Sequence, residues 1–270
     1  MAAAYHAQRA RLSPPSDMWA GCAGNFKPDL TAPLSPVAEK LASFLHPDDV
    51  LIDVGGGAGR MSLPLASRCR EVICVDSSRG MGDAFEAAVA DAGITNARFV
   101  FGGWPEAAAG IEGDVALVSH VTYFVTTIGP FIEGLNRAAR RRVVVGTRSI
   151  APPNQIGPAF QVVRGEELDP VPGPQELLAV LAEMSIDPEV IDAGVAPPPA
   201  TAPAGSSPED VVRLEVESGI RLGWMKREEA DRATALLHER FDDLFAETEK
   251  GYRRRSGLDA RELIITWETH

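Results

Sequence analysis

The chain has 270 residues, 45% apolar and 24% charged, enough for one large domain or two small ones with a sizeable core and unlike a disordered, collagen-like or membrane-spanning composition. The balance of 26 basic against 38 acidic residues gives a net charge of −12 and a pI of about 4.9, which works against nucleic acid or an anionic membrane surface as a partner. Cys22, Cys69 and Cys74 are odd in number and form no C-x-x-C pair, which speaks against a disulfide framework or a cysteine zinc site.

In chain order, Met1–Pro15 lacks the apolar stretch of a secretory signal, so the expected compartment is the cytoplasm and the stretch reads as a short tail. Residues 1–35 together read as an N-terminal lid segment that carries Tyr5, Trp19 and Phe26. From residue 50, apolar runs alternate with helical spacing, the pattern of a parallel sheet covered on both faces. Strands are expected at Val50–Val54, Glu71–Asp76, Ala97–Phe101, Asp114–Ser119 and Arg142–Thr147. Helices are expected at Gly59–Arg68, Met81–Asp91 with Gly93 as its stop, and Pro130–Ala139.

Beyond the fifth strand, Ala151–Pro174 is rich in proline and glycine and reads as irregular. A helix at Gln175–Met184, a strand at Glu189–Val195 and a last strand at Glu262–Glu268 follow. Residues 196–256 lie between these two strands and form an insertion. It opens on a linker, Ala196–Ser207, and continues into helices, the first with Ser207 as N-cap, Pro208 at its first position and Asp210 at the third. Val212, Val216, Ile220 and Trp224 recur every four residues, and Leu236, Leu237, Phe241, Leu244 and Phe245 share a second apolar stripe. The fold class expected is therefore α/β: a doubly wound, seven-stranded, mostly parallel sheet from residues 36–195 and 257–270, with a helical insertion before the last strand.

The most informative stretch is Val50-Leu51-Ile52-Asp53-Val54-Gly55-Gly56-Gly57-Ala58-Gly59, a strand that ends in an acid and turns through glycines. Glycines supply positive φ and let the backbone approach a ligand, and a helix following them aims free N–H groups at it. A dinucleotide fingerprint needs glycines at i, i+2 and i+5, and Arg60 holds the third place when counted from Gly55. D-x-G-x-G-x-G does match, through Asp53, Gly55, Gly57 and Gly59. Here the sequence resembles the class I S-adenosylmethionine-dependent methyltransferases. The second strand adds to the likeness by ending in Asp76, 21 residues after Gly55, followed by Ser77 and Met81. A carboxylate at a strand end can accept both ribose hydroxyls.

The resemblance implies S-adenosylmethionine as cofactor and S-adenosylhomocysteine as product, with Asp53, Gly55, Gly57, Gly59, Asp76, Ser77 and Met81 at the cofactor; no metal is expected, because the sequence after the fifth strand lacks the paired acid and asparagine of metal-dependent members. It departs after the third strand, where many members carry an acid for the adenine amino group. This chain has Gly102-Gly103-Trp104-Pro105, which leaves Gly103 and Trp104 to hold adenine by backbone groups and indole stacking, or Trp104 as a packing residue. After the fourth strand come His120 and Tyr123, without the consecutive prolines of base and glutamine methylating enzymes. With an ordinary pKa of about 6.5, His120 can take a proton from a hydroxyl or amine, or else line the cofactor pocket as a structural donor; Tyr123 is the other catalytic candidate.

Methyl transfer needs mainly alignment, because a sulfonium is already an activated leaving group. Trp19, Arg148 and Trp224 are the substrate candidates, with burial as the plainer reading of each aromatic. The runs Arg140-Arg141-Arg142 and Arg253-Arg254-Arg255 could grip phosphate, yet one ends a helix and the other follows an acidic one. The expected activity is methylation of a small molecule at oxygen or nitrogen. A non-catalytic S-adenosylmethionine-binding regulator and a nicotinamide oxidoreductase are the alternatives, and the apolar stripe of the insertion serves either a lid or a homodimer interface.

Overall fold

A computed structural model of the chain describes residues 1–12, 19, 23–24, 26–196, 205–249 and 251–269. Cys22 and most of the expected linker lie outside the described residues. The chain divides into two compact units. The larger holds Trp19–Thr147, Pro174–Gly194 and Glu262–His270, and the other holds the N-terminal stretch, Arg148–Gly173 and Val195–Arg261. Among the described residues no helix is long and apolar enough to cross a membrane.

The larger unit is built on a seven-stranded sheet. Its strands are β1 (Val50–Val54), β2 (Glu71–Asp76), β3 (Ala97–Phe101), β4 (Gly113–Ser119), β5 (Ala139–Arg148), β6 (Glu189–Val195) and, last in the chain, β9 (Arg261–Glu268). The spatial order is β3-β2-β1-β4-β5-β9-β6, and β1 to β5 pair in parallel, with Ile52 beside Ile73 on one flank and Ala116 on the other. β9 runs against β5: the Arg141 carbonyl meets the Thr269 amide at one end, and the Arg261 carbonyl meets the Ser149 amide at the other.

All five β1 residues are buried, as a strand covered on both faces requires. The period of two sends Val50, Ile52 and Val54 to a core shared with Phe131, Ile132 and Leu135 of α4 (Ile128–Ala138) and Leu177 and Leu181 of α6 (Pro174–Glu183). Leu51 faces the opposite core, with Leu41 of α2 (Pro36–Ala42) and Leu65. Ser35 caps α2 and Ser78 caps α3 (Arg79–Ala92), which stops at Gly93 with φ 63°.

The helix expected at Gly59–Arg68 is shorter than its spacing suggests. Gly59 sits at φ 78°, outside helical space, and Pro64 brings no N–H, so only Leu63–Arg68 winds, as a 3-10 helix. The first arginine run is occupied by structural pairs: Arg140 with Asp114, Arg141 with Asp49 and Arg142 with Glu268.

The second unit corrects two expectations. The N-terminal tail is a helix, α1 (Ala2–Arg11), held where the Gln8 amide donates to the Glu167 carbonyl and accepts from the Asp169 amide, both at 2.7 Å. The stretch expected to be irregular contains α5 (Pro152–Arg164). Two of its prolines occupy the first turn, where their missing donors have no partner to lose. Pro158 lies inside the helix, and burial of Ala159, Phe160 and Val163 against Val212, Val216, Trp224 and Leu237 outweighs its cost.

In the insertion, Ser207 and Asp210 form the expected capping box of α7 (Pro208–Arg221). The second expected helix breaks at Arg240 into α8 (Ala230–Glu239) and α9 (Phe241–Leu244), and Phe245 opens a hairpin, β7 (Phe245–Thr248) with β8 (Gly251–Arg254). The aromatic stripe is used across this hairpin, Phe241 lying 5.1 Å from Phe245 and 5.2 Å from Tyr252 between ring centres. Arg254 forks onto the buried Glu215 of α7 at 2.7 Å, so the second arginine run is also partly committed to the fold.

Candidate active site

A cavity of about 400 Å³ opens in the larger unit at the carboxyl ends of β1, β2 and β4, lined from Val54 and Gly55, from Val75 and Asp76, and from Ser119 and His120. Open parallel sheets bind their ligands at this edge. The loop after β1 is shaped by its glycines: Gly55, Gly57 and Gly59 adopt φ 68°, 56° and 78°, in the left-handed region that other residues enter at a cost. Gly56 is needed for a different reason, since a Cβ there would collide with the Asp53 carboxylate and stand 2.8 Å from Cys74 Sγ.

Two acids meet beneath this loop. Asp76 Oδ2 accepts from the Gly57 amide at 3.0 Å and Oδ1 from the Ser78 amide at 2.8 Å, so two backbone donors fix the direction of its carboxylate. Asp53 is 1% exposed, and neither of its oxygens has a hydrogen-bond partner among the described residues. Burial pushes its carboxyl up to about 7, the proximity of the Ser62 hydroxyl opposes this, and the charge of Asp76 adds to it. The Cys74 thiol is pushed well up by burial and then by the same two acids, which leaves it unreactive as a nucleophile.

The opposite wall carries Trp104, whose indole N–H donates to the Phe131 carbonyl at 3.2 Å, and His120. The His120 backbone has φ 60° and is pinned by its amide donating to the Gly146 carbonyl. Its Nδ1 lies 3.2 Å from the Tyr123 hydroxyl, which lies 3.1 Å from Thr147 Oγ1. Its Nε2 lies 3.5 Å from Glu262 Oε2. Trp19, Phe26 and Phe124 also line the cavity and meet edge to face, with ring centres 6.0 Å and 5.6 Å from Trp19. The Arg60 guanidinium stands 5.2 Å from the Phe26 ring centre.

The cavity thus brings together Asp53, Gly55, Gly57, Asp76, Ser77, Met81, Gly103, Trp104, His120 and Trp19 from the residues singled out in the sequence. Four others lie elsewhere. A Cβ on Gly59 would press on Leu63 and Phe85, so this glycine serves the turn. Tyr123 is buried at 1% behind His120. Trp224 is a core residue of the second unit, packed on Phe160, and Arg148 is a buried residue of that unit. Sequence reasoning missed Phe124, Arg60, Thr147 and Glu262. Arg60 directly follows the glycine motif and could have been marked from it, whereas Glu262 reaches His120 only through the placement of β9.

No protein-family model and no curated protein sequence matches the chain. Among solved structures it is similar to the YcgJ protein from Bacillus subtilis, with a TM-score of 0.54 and 12% identity over 86% of this chain and 97% of that one. It is similar also to a putative methyltransferase from Bacillus halodurans C-125, with a TM-score of 0.53 and 11% identity over 88% of this chain and 96% of that one. The [4+2]-cyclase SpnF matches with a TM-score of 0.53 and 13% identity over 86% of this chain and 79% of that one. The chain has the Rossmann-like fold of class I S-adenosylmethionine-dependent methyltransferases. A cyclase on the same fold shows that the fold does not choose the reaction.

Proposed function

We propose that the protein is an S-adenosylmethionine-dependent methyltransferase acting on an oxygen or nitrogen of a small molecule. The observation that carries this reading is the carboxylate of Asp76, aimed by the Gly57 and Ser78 amides at the edge of a cavity whose floor is the glycine loop. Bidentate acceptance of two ribose hydroxyls needs such a fixed carboxylate. Positive charge on a ligand at this loop would favour the ionised form of the buried Asp53 carboxyl, which burial otherwise disfavours. Gly103 and Trp104 form the wall against which an adenine would lie.

S-adenosylmethionine, when bound, supplies an activated methyl group. The protein's part is to hold the acceptor in line with it and keep water out, and Trp19, Phe26 and Phe124 supply an aromatic wall for that purpose. Calorimetric titration of the full chain with S-adenosylhomocysteine and with NAD tests the reading. Binding of the sulfur nucleoside in preference to NAD is expected, and methyl transfer to an acceptor in a labelled-donor screen separates an enzyme from a regulator that only binds.

A further inference from the structure

Asp53 is an ionisable residue in surroundings built for an apolar one. It is as deeply buried as Ile52 and Val54 on either side of it. Its register partners across the sheet are Cys74 of β2 and Leu117 of β4, and the Gly56 backbone lies against its carboxyl so closely that a Cβ there would collide with it. Neither Asp53 oxygen has a hydrogen-bond partner among the described residues, and the same holds for the buried Ser62 hydroxyl nearby. Burying a carboxylate in this state is costly, yet the residue stands in the wall of the cavity. An orphaned buried acid at a ligand cavity calls for a cause outside the fold.

Among the described residues, the groups that face Asp53 supply no counter-charge. From β2, Asp76 repels its charge, and Cys74, whose thiol burial pushes well up, stays neutral. Leu117 of β4 is apolar, and Ser62 brings only a hydroxyl. Burial first, and Asp76 with it, pushes the Asp53 carboxyl up to about 7, where the neutral and ionised forms are nearly balanced at neutral pH. A positive charge within about 4 to 6 Å favours the ionised form, and salt screens such a buried group little.

We propose that Asp53 reads the charge of the ligand: a cationic S-adenosyl ligand in the cavity displaces the Asp53 proton, so that binding of the ligand and release of a proton to solvent are linked, whereas a neutral nucleoside leaves the proton in place. This rests on the methyltransferase reading above and adds a specificity residue to it. The carboxyl O–H bond breaks, its electron pair stays on the Asp53 oxygen, and the proton passes to buffer. Sulfonium and ammonium are the two sources of positive charge on such a ligand, and Asp53 responds to the same chemistry in either. Because the free protein must give up a proton, affinity for a cationic ligand rises with pH, by about tenfold between pH 6 and pH 8 for a carboxyl of this kind that is ionised throughout in the complex.

Isothermal titration of the full-length protein in two buffers of different ionisation enthalpy counts the protons released. S-adenosylmethionine carries both charges, S-adenosylhomocysteine the ammonium alone, and 5′-methylthioadenosine neither. Release of about half a proton at pH 7 is expected with S-adenosylmethionine and none with 5′-methylthioadenosine, with affinity rising between pH 6 and pH 8 for the first and flat for the second. Release with S-adenosylhomocysteine also assigns the effect to the ammonium, and release with S-adenosylmethionine alone assigns it to the sulfonium. His120 lines the same cavity and, as a histidine, titrates in a similar window, so two variants separate the residues. Asp53→Asn should lose both the release and the pH slope, and His120→Gln should keep them. No release with S-adenosylmethionine in the wild type, equal release with 5′-methylthioadenosine, release that persists in Asp53→Asn, or its loss in His120→Gln overturns the proposal while cofactor binding stands. No binding of either S-adenosyl ligand by the wild type overturns the methyltransferase reading itself.

Discussion

The Gly57 amide donates to Asp76 Oδ2 at 3.0 Å, a contact that ties the loop after β1 to the end of β2 and orients the carboxylate before any ligand arrives. The φ of 56° at Gly57 helps to turn this N–H toward the acid, so the glycine serves the site through its backbone direction as well as its missing side chain.

Asp76→Ala should weaken S-adenosylhomocysteine binding by about 1.5 to 3 kcal/mol, the usual range for hydrogen bonds to a charged group. The loop also loses its Gly57 anchor. Asp76→Asn keeps one oxygen acceptor and should lose less. Calorimetry on the three proteins decides, and equal affinities would remove Asp76 from the site.

Asp53 makes the free protein's stability depend on pH. Its folded pKa of about 7 lies above the ordinary 3.8, so between these values the folded chain binds more protons than the unfolded one and stability falls as pH rises through the window. Asp53→Asn removes this cost and should stabilise the unliganded protein most above pH 7, by up to about 4 kcal/mol, while weakening cofactor binding. Thermal melts from pH 4 to pH 8 check the sign. A variant destabilised equally across the range contradicts it.

Gly59 and Gly57 should fail in different ways. A Cβ on Gly59 would stand 2.6 Å from Leu63 Cγ and 2.8 Å from Phe85 Cδ2 at φ 78°, so Gly59→Ala should cost about 1 to 3 kcal/mol of stability. Its folded fraction should bind S-adenosylhomocysteine normally. Gly57→Val should instead lose the ligand. Denaturant unfolding paired with titration separates the two effects.

Trp224→Ala should behave as a core deletion. The indole is 2% exposed, 5.8 Å from Phe160 between ring centres, and its removal should cost about 3 to 5 kcal/mol. Loss of a substrate contact with stability intact would restore it as a binding residue.

The central strands were legible because runs such as Val50–Val54 are apolar on both faces and end at glycines or acids, and the observed bounds of β1, β2 and β3 coincide with that pattern. α5 was not. Pro152, Pro153 and Pro158 read locally as breakers, and only the burial of Phe160 and Val163 explains why the helix forms. The site divides in the same way. Asp53, Gly55, Gly57 and Asp76 announce themselves because a tight glycine turn and a strand-end acid are set by neighbouring residues along the chain. Glu262 and Thr147 do not, because their relation to His120 arises from the pairing of β5 and β9, which leaves no mark in local composition. Among the four motif residues, Gly59 shares the residue type of Gly57 but answers to packing on Leu63 and Phe85, a difference that spacing does not carry.

The central claim is that the cavity at the carboxyl edge of β1, β2 and β4 takes an S-adenosyl ligand. Isothermal titration of the wild-type chain with S-adenosylhomocysteine, with NAD in a parallel cell, tests it most directly. The account predicts saturable one-to-one binding of S-adenosylhomocysteine, weakened in Asp76→Ala, and weaker or no binding of NAD. No heat from S-adenosylhomocysteine, or tighter binding of NAD, would contradict it.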